Sequence, residues 1–348
     1  SAPHRLSRRP SPAMADDKTA ITELATALGC LGDSTVDWAV LQRPDELLVE
    51  DTAWDQLTRG LHDPALAALA DAAFDNGVAF AAHPDALDGK RPRRIEWTGG
   101  RRPPGDQVIP ADLRIDRVFL VSCKYSSKVL HNAAPARVFD HLLVESARHD
   151  RRDWYGVVAP DEHRRLAVAA ASAVRCRFPA DPADADRDDR RRLRDALREV
   201  GRRWPEGAEE AYRDLCRTVS RRTATRWRDA ARGRPAQEQL LWRLLRLGSA
   251  PYFVVGINRD DRMRLRIETP WDWRQAHELR RFDIEADDVG QPQVRWWATV
   301  RDRHDDVERV VEGHVEIRWS HGRFGAPPEA KVYLDTPHSE VPGYAPLS

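Results

Sequence analysis

Segment 112–132, DLRIDRVFLVSCKYSSKVLHN, constrains the fold of this chain more than any other, because its character changes partway along. Residues 118–121 are apolar, with the β-branched and aromatic side chains typical of a buried strand. From Ser122 one face of that strand becomes polar by strict alternation: Ser122, Lys124, Ser126 and Lys128. The other face carries Val121, Cys123 and Tyr125. Since successive side chains of a strand point to opposite faces, the segment predicts a strand that leaves the core with a cationic face.

The basic residues of the chain are almost all arginine, which makes each lysine informative. Only five of the 56 basic residues are lysine: Lys18, Lys90, Lys124, Lys128 and Lys331. Two of the five lie four residues apart on the predicted strand face. Only lysine offers a compact ammonium group whose pKa can fall into a range useful for catalysis. This placement indicates chemistry at Lys124, at Lys128 or at both.

The net charge of zero hides an uneven distribution along the 348 residues, a length that suits two or three domains. Segment 90–175 has 17 Lys and Arg against 10 Asp and Glu, a balance of +7. Segment 181–250 has 18 against 13, a balance of +5. A basic middle is what a polyanion-binding surface needs. For segment 181–250, solvated arginine-rich helices are an equal alternative.

Several protein classes do not suit this sequence. No uninterrupted apolar run approaches the ~18 residues that a membrane helix needs, so we expect no membrane partner. The first 13 residues are basic and contain proline but have no apolar stretch, unlike a secretory signal. The four cysteines show no CxxC spacing, which argues against a zinc site and suits a reducing cytosol. We therefore expect a cytoplasmic protein.

Periodicity predicts the order of elements in the first half of the chain. Helices are expected over 15–28, 45–61 and 63–75, the last capped by Asp63 with Pro64 in its first turn. Strands are expected over 94–98, 112–117, 118–125 and 154–159, with a helix over 136–148 before the last of them. The second and third strands should form a hairpin that turns near Asp116 and Arg117.

The second half of the chain is predicted to be helical and then mainly β. Helices are expected over 161–176, 193–204, 206–231 and 235–247. Strands are expected over 252–256 and 262–268, and mostly β structure follows to residue 334. In the segment HVEIRW, Val315, Ile317 and Trp319 should face the core. The tryptophans after residue 270 are core residues by default, although aromatics interleaved with arginine can also stack on bases.

This element order and one pair of motifs resemble the PD-(D/E)xK nuclease superfamily. The motifs are Pro110-Ala111-Asp112 and, ten positions later, Ser122-Cys123-Lys124. The resemblance covers roughly residues 60–160. It implies an α/β nuclease-like core in αβββαβ order, followed here by a helical middle region and a mostly-β C-terminal region. The expected parts are a tag or disordered extension (1–13), an N-terminal helical region (14–62), the core (63–176), an arginine-rich helical region (177–250) and a β-rich domain (251–348).

The chemistry of phosphodiester hydrolysis explains why these residue types matter. A divalent cation must stabilise charge on the transition state and lower the pKa of a water molecule. Mg²⁺ prefers one or two carboxylates together with waters and phosphate oxygens, and Asp112 supplies one carboxylate. Lys124 on the neighbouring strand is placed to contact the attacking water and the scissile phosphate. Cys123 points to the other face as a small core residue, while the resemblance implies that its backbone carbonyl is a ligand of Mg²⁺ or Mn²⁺.

The chain departs from the family at Ser122, which stands where the motif has an acidic residue. Either another carboxylate replaces the missing charge, or the site binds metal poorly and is inactive. Glu96 is the best replacement because it precedes Thr98-Gly99-Gly100, where a backbone can approach a ligand closely. Further candidates are Asp106, Asp71 and Asp75. Each of these carboxylates can instead be a capping or solvated residue.

The residues after the strand are hydrogen-bond donors that precede a proline-started helix. They include Ser126, Lys128, His131 and Asn132. Clustered hydroxyls and helix N-termini suit phosphate oxygens, so we expect these four to bind nucleic acid. For His131 and Asn132, capping the helix or satisfying a loop is the alternative.

Together these features predict a Mg²⁺-dependent deoxyribonuclease with Asp112, Ser122, Lys124 and Glu96 at its catalytic site. The resemblance also implies a restriction or defence role, as a homodimer or within a larger complex. The first alternative is a nucleic-acid-binding or assembly protein that keeps the nuclease scaffold without activity. The second is a structural partner protein that binds no DNA.

Overall fold

The structure, a computed structural model, describes residues 17–32, 34–99, 109–125, 129–144, 152–258, 261–287 and 290–347. Over these residues the protein is a mixed α/β protein. Its contacts divide the chain into two units. Unit 1 comprises residues 1–127, 250–267 and 345–348. Unit 2 comprises residues 128–249 and 268–344.

The helices and strands are numbered in chain order. The helices are α1 (Asp17–Cys30), α2 (Val36–Gln42), α3 (Asp51–Leu61), α4 (Pro64–Ala82), α5 (Pro135–Phe139), α6 (Trp154–Val158), α7 (Pro160–Ala173), α8 (Arg187–Glu199), α9 (Glu209–Ala230), α10 (Arg234–Leu244) and α11 (Pro270–Ala276). The strands are β1 (Leu47–Leu48), β2 (Ile95–Trp97), β3 (Leu113–Ile115), β4 (Phe119–Tyr125), β5 (Val129–Ala133), β6 (Tyr252–Asn258), β7 (Asp261–Ile267), β8 (His277–Asp287), β9 (Gln293–Asp302), β10 (Glu308–Arg318), β11 (Glu329–Leu334) and β12 (Tyr344–Pro346). Two short 3₁₀ turns cover Pro182–Asp184 and His338–Glu340.

The sheet of unit 1 has the strand order β1-β2-β3-β4-β6-β7-β12. Strands β2, β3 and β4 form an antiparallel meander, and β6 pairs with β4 in parallel. The β3–β4 hairpin turns at Asp116 and Arg117, whose φ angles are 50° and 60°. Two left-handed residues in a row are the geometry of a type I′ turn, which matches the twist of the flanking strands. The turn predicted from the sequence is thereby confirmed.

Helices α1 and α4 pack closely together because each has a glycine at the contact. A Cβ atom on Gly29 would lie 2.0 Å from the carbonyl oxygen of Phe74, and one on Gly77 would lie 2.2 Å from that of Thr26. As predicted, Asp63 caps α4 and accepts a hydrogen bond of 2.9 Å from the amide of Ala65. Of the helices that the structure describes, α4 alone is long and apolar enough to span a membrane by length and composition. Six of its residues are buried, including Gly77 at the contact with α1, and a core helix of a globular protein meets the same criteria of length and composition.

The sheet of unit 2 is antiparallel, with the order β5-β11-β10-β9-β8. Helix α9 packs on β8 and β9, and α5, α6 and α7 pack on α9. Val315 and Ile317 are fully buried, as the alternation in HVEIRW predicts, whereas Trp319 is only half-buried. Glycine is required at position 313, because a Cβ atom there would lie 2.2 Å from the carbonyl oxygen of Tyr333.

The segment predicted as a fourth strand, 154–159, is instead helix α6. Asp153 caps this helix by accepting a hydrogen bond of 3.1 Å from the amide of Tyr155. Its buried residues are Trp154, Tyr155 and Val158, a spacing that buries one side of a helix turn. The neighbour of β4 on the side away from β3 is β6, which begins at Tyr252. An apolar run of this length has no period of its own, so tertiary packing decided its conformation.

Two neighbouring segments also differ from expectation. Helix α5 ends at Phe139 rather than continuing toward residue 148, because Leu142 and Leu143 adopt left-handed φ angles of 48° and 61°. Residues 129–133, for which the sequence predicted no strand, form β5 and pair with β11. The boundary between the units at 127/128 consequently falls inside the segment 63–176.

Candidate active site

Asp112 is held rigidly at the start of β3. Its backbone amide donates to the carbonyl of Val121 at 2.8 Å, and its own carbonyl accepts from the amide of Thr98 at 3.0 Å. The carboxylate Oδ2 accepts two hydrogen bonds from β4, one from the Cys123 amide at 2.6 Å and one from the Ser122 hydroxyl at 3.2 Å. Hydrogen bonds to an ionised carboxylate are stronger than those between neutral groups. The Asp112 side chain is therefore oriented before any ligand binds.

Ser122 supports Asp112 from a fully buried position. Its side chain is 0% exposed, and its hydroxyl donates to Asp112 Oδ2. An acidic residue at this position would bring a second negative charge to about the same distance. The serine is therefore a neutral donor that orients the Asp112 carboxylate.

Lys124 lies two residues after Ser122 on β4 and is half-buried. Its backbone is pressed against β6, because a Cβ atom on Gly256 would lie only 2.0 Å from the carbonyl oxygen of Lys124. The carbonyl of Gly256 accepts a hydrogen bond of 2.9 Å from Nδ2 of Asn76, which is fully buried on α4. Helix α4 thus holds β6 in place, and β6 supports the strand that carries the lysine. The sequence analysis did not identify Gly256 or Asn76.

Glu23 is a further carboxylate that the sequence analysis missed. It lies on α1, is 5% exposed, and accepts a hydrogen bond of 2.6 Å from Nε1 of Trp97. Its pKa is raised to about 8, chiefly by burial and also by the negative charge of Asp112, while the Trp97 hydrogen bond and the charge of Lys124 lower it. The charges of Asp112 and Lys124 both act on Glu23, so the three groups share one electrostatic environment. An acidic residue inside the apolar stripe of α1 was the available sequence signal.

Glu96, the predicted replacement carboxylate, is surrounded by arginines on the β-hairpin side of the sheet. Its carboxylate lies 2.8 Å from Arg94 Nε, 3.8 Å from Arg114 and 3.9 Å from Arg117. Opposite charges at these distances satisfy the carboxylate locally. Glu96 is thus paired with arginines, whereas Glu23 lies within reach of the Asp112 charge.

The other acidic candidates from the sequence have surroundings of their own. Asp75 pairs with Arg262 at 2.9 Å, Asp71 is exposed on α4, and Asp106 lies outside the described residues. Cys123 is buried, and burial together with the charge of Asp112 raises the pKa of its thiol well above the ordinary value. A thiol that stays protonated is a poor nucleophile, so Cys123 is a core residue, as expected.

The donor set suits a cation that needs few protein ligands. Among the residues that the structure describes, no group of three or more His, Cys, Asp or Glu side chains could hold a metal ion. Asp112 and Glu23 are two carboxylates, and Mg²⁺ is commonly bound by one or two carboxylates with waters and substrate phosphates. Asp112 and Glu23 are the carboxylates of this environment that could bind such a cation, and Glu23 would have to lose its proton to do so.

The residues expected to bind nucleic acid are only partly described. Ser126 and Lys128 lie outside the described residues. His131 and Asn132 belong to β5 in unit 2. His131 Nε2 lies 2.8 Å from the carbonyl oxygen of Arg243, and the side chain of Asn132 hydrogen-bonds to Glu329 and lowers its pKa. Both side chains thus have contacts within unit 2, in line with the alternative that they satisfy local structure.

Comparisons with family models, with curated proteins and with solved structures each find no match to this chain.

Proposed function

We propose that unit 1 hydrolyses phosphodiester bonds in DNA with the help of Mg²⁺ or Mn²⁺. The observation that carries this proposal is the fixed position of the Asp112 carboxylate, which two groups of β4 hold just ahead of Lys124. A preorganised carboxylate with a lysine on the next strand is the arrangement that metal-assisted phosphodiester hydrolysis needs. The resemblance of the two motifs to the PD-(D/E)xK superfamily supports the same reaction.

The strand arrangement also supports a nuclease-like core. In the proposed core, the meander β2-β3-β4 supplies the first three strands and β6 supplies the fourth, parallel to the third. Residues 128–249 are then an insertion between the third and fourth strands. The helix that the family order places between those strands falls within the insertion. This division explains why the fourth strand was predicted about 100 residues too early.

In the proposed mechanism, Asp112 and Glu23 hold the divalent cation. When bound, the cation neutralises charge on the phosphate and lowers the pKa of a water molecule. The Ser122 hydroxyl and the Cys123 amide orient the Asp112 carboxylate. Glu23, whose pKa burial and the Asp112 charge raise to about 8, would have to release its proton to become a ligand. Lys124 orients the attacking water and contacts the scissile phosphate.

A catalytically inactive DNA-binding protein is the second candidate, and the burial of Ser122 favours it. With a serine in place of an acidic residue, the site has one negative charge fewer than the family motif. Under this alternative, the basic segment 90–175 would bind DNA without cleavage.

The decisive experiment measures cleavage of supercoiled plasmid with Mg²⁺, with Mn²⁺ and with EDTA. We expect cleavage only with a cation, and Asp112→Asn should abolish it while folding and DNA affinity stay near parental values. Asp71→Asn, the same change at an exposed position of α4, is the matched control and should cut normally. Normal cleavage by Asp112→Asn would show that the site lies elsewhere. Salt-dependent DNA binding without any cleavage by the parent would favour the second candidate.

A further inference from the structure

Unit 2 contains a cavity of about 690 Å³ whose lining is both aromatic and cationic. Pockets that bind small molecules and cofactors usually have volumes of a few hundred to about 1,000 Å³. The walls come from α6, α9, the end of β10 and the segment between α8 and α9. All lining residues belong to unit 2, so the cavity is separate from the Asp112 site of unit 1.

One wall of the cavity is built from three aromatic side chains that are only half-buried: Trp204, Tyr212 and Trp319. The ring centroids of Trp204 and Tyr212 lie 4.8 Å apart, with 33° between their planes. Those of Trp204 and Trp319 lie 6.1 Å apart. Partly exposed aromatic rings inside a cavity offer a surface on which nucleobases can stack.

The charges around this aromatic wall are strongly positive. Five arginines line the cavity against one acidic residue, Glu209, a balance of +4. Arg202, Arg203 and Arg213 are exposed, and none has an acidic partner within the part of the chain that the structure describes. Unpaired guanidinium groups grouped in this way bind phosphate through charge-assisted hydrogen bonds.

A fourth arginine fixes the shape of the cavity. The Arg323 guanidinium lies 4.5 Å from the ring centroid of Trp204. It also donates to the backbone carbonyls of Arg202 and Arg203, the latter at 3.0 Å. The contact with Arg323 orients the indole of Trp204, and the two hydrogen bonds hold the segment that carries Arg202 and Arg203. The aromatic wall and the phosphate-binding groups are thereby kept side by side.

We propose that this cavity binds a nucleobase together with its 5′-phosphate. The base stacks on the wall formed by Trp204, Tyr212 and Trp319, and the phosphate contacts Arg202, Arg203 and Arg213. This chemistry is shared by a free nucleotide and by an unpaired nucleotide of a DNA strand, since an extruded base is read by stacking in a pocket. The proposal does not depend on cleavage by unit 1.

Binding is tested with the full chain in EDTA, so that no cation-dependent cleavage takes part. Isothermal titration calorimetry measures the four 2′-deoxynucleoside 5′-monophosphates, with inorganic phosphate as the anion alone. Fluorescence anisotropy compares a labelled DNA duplex that has one unpaired central nucleotide with its fully paired counterpart. A mononucleotide that binds more tightly than phosphate identifies a free nucleotide as the ligand. A preference for the duplex with the unpaired nucleotide, without mononucleotide binding, identifies the strand.

Two variants assign the binding to the cavity. Trp204→Leu should weaken it about fivefold or more, the lower bound for one stacked base. Arg213→Gln, an exposed change with no ion pair to break, should weaken it about tenfold and decides the test if Trp204→Leu does not fold. The matched controls in unit 2 are Trp271→Leu and Arg187→Gln, both exposed and outside the cavity lining.

The proposal is overturned by any of three results. The first is that phosphate alone binds as tightly as every mononucleotide and the two duplexes bind equally. The second is that none of the probes binds. The third is that the cavity variants bind as well as the two control variants, which would place the binding site elsewhere on the chain.

Discussion

Glu23→Gln should make the protein more stable at neutral pH and its stability less sensitive to pH, while removing the proposed cleavage. The buried carboxyl has an ordinary pKa of 4.5 in the unfolded chain and a pKa of about 8 in the folded chain. A carboxyl whose pKa is higher in the folded state makes the protein less stable as the pH rises. The loss is absent below pH 4.5, grows through neutral pH and is complete above pH 8. At pH 7 the cost is about 3 kcal/mol, since each pH unit above the unfolded pKa contributes about 1.4 kcal/mol.

Glutamine carries no charge at any pH and keeps an oxygen that can accept the hydrogen bond from Trp97. The variant should therefore gain up to about 3 kcal/mol at pH 7, because its side chain never has to give up an ionised state on folding. At pH 5 the gain should fall below about 1 kcal/mol, because that pH lies just above the pKa of 4.5 in the unfolded chain. Cleavage should disappear at every pH, since an amide is a much weaker ligand for a hard cation than a carboxylate.

The assay is thermal unfolding at several pH values between 5 and 8 in EDTA, followed by tryptophan fluorescence. Glu50→Gln, an exposed position before α3 without a side-chain cap bond, is the matched control and should change stability by less than about 0.5 kcal/mol. A Glu23→Gln protein that is less stable at pH 7, or whose unfolding keeps the parental pH dependence, would refute the buried and protonated carboxyl.

Three further predictions concern the strands around Asp112. Ser122→Asp places a second carboxylate about 3.2 Å from Asp112, so its melting temperature should fall in EDTA and recover with Mg²⁺ more than that of the parent; equal melting temperatures in both conditions would contradict a shared cation site. Lys124→Arg should bind DNA within a few-fold of the parent in anisotropy measurements but lose ~100-fold or more in cleavage rate, since a guanidinium cannot give up a proton; near-parental turnover would make this lysine incidental. Gly256→Ala should destabilise the protein by about 1–3 kcal/mol in urea unfolding, because its Cβ would lie 2.0 Å from the Lys124 carbonyl oxygen; a neutral effect would mean that β4 and β6 can separate there without cost.

Local features were predictable where neighbouring residues decide the conformation. The type I′ turn at Asp116 and Arg117 follows from two adjacent polar residues between alternating strands, and the Asp116 carboxylate stabilises it by accepting from the amides of Arg93 and Arg94. The cap of α4 follows from Asp63 and Pro64 alone. The pairing of Asp112 with β4 was expected, since residues opposite each other in a hairpin are set by the position of its turn.

Pairings between distant segments were not predictable in the same way. Nothing near Lys124 indicates that its neighbouring strand begins at Tyr252, because a parallel partner can be separated by any length of chain. The error at residues 154–159 has the same origin, since a short apolar run fits a buried strand and a buried helix turn equally well. Its helical form depends on the Asp153 cap and on the packing of Trp154.

The carboxylates of the candidate site show what each level of structure decided. The sequence by itself determined that Asp112, Ser122 and Lys124 share a hairpin, with Ser122 and Lys124 on one face of β4, because alternation and a short turn act over neighbouring residues. Only the tertiary structure decided that the Glu23 carboxyl interacts with the charge of Asp112. Glu96 is neutralised by arginines of its own hairpin, whereas the packing of α1 buries Glu23 within reach of the Asp112 charge. Burial and Coulomb interactions depend on distance in space, which chain spacing does not specify.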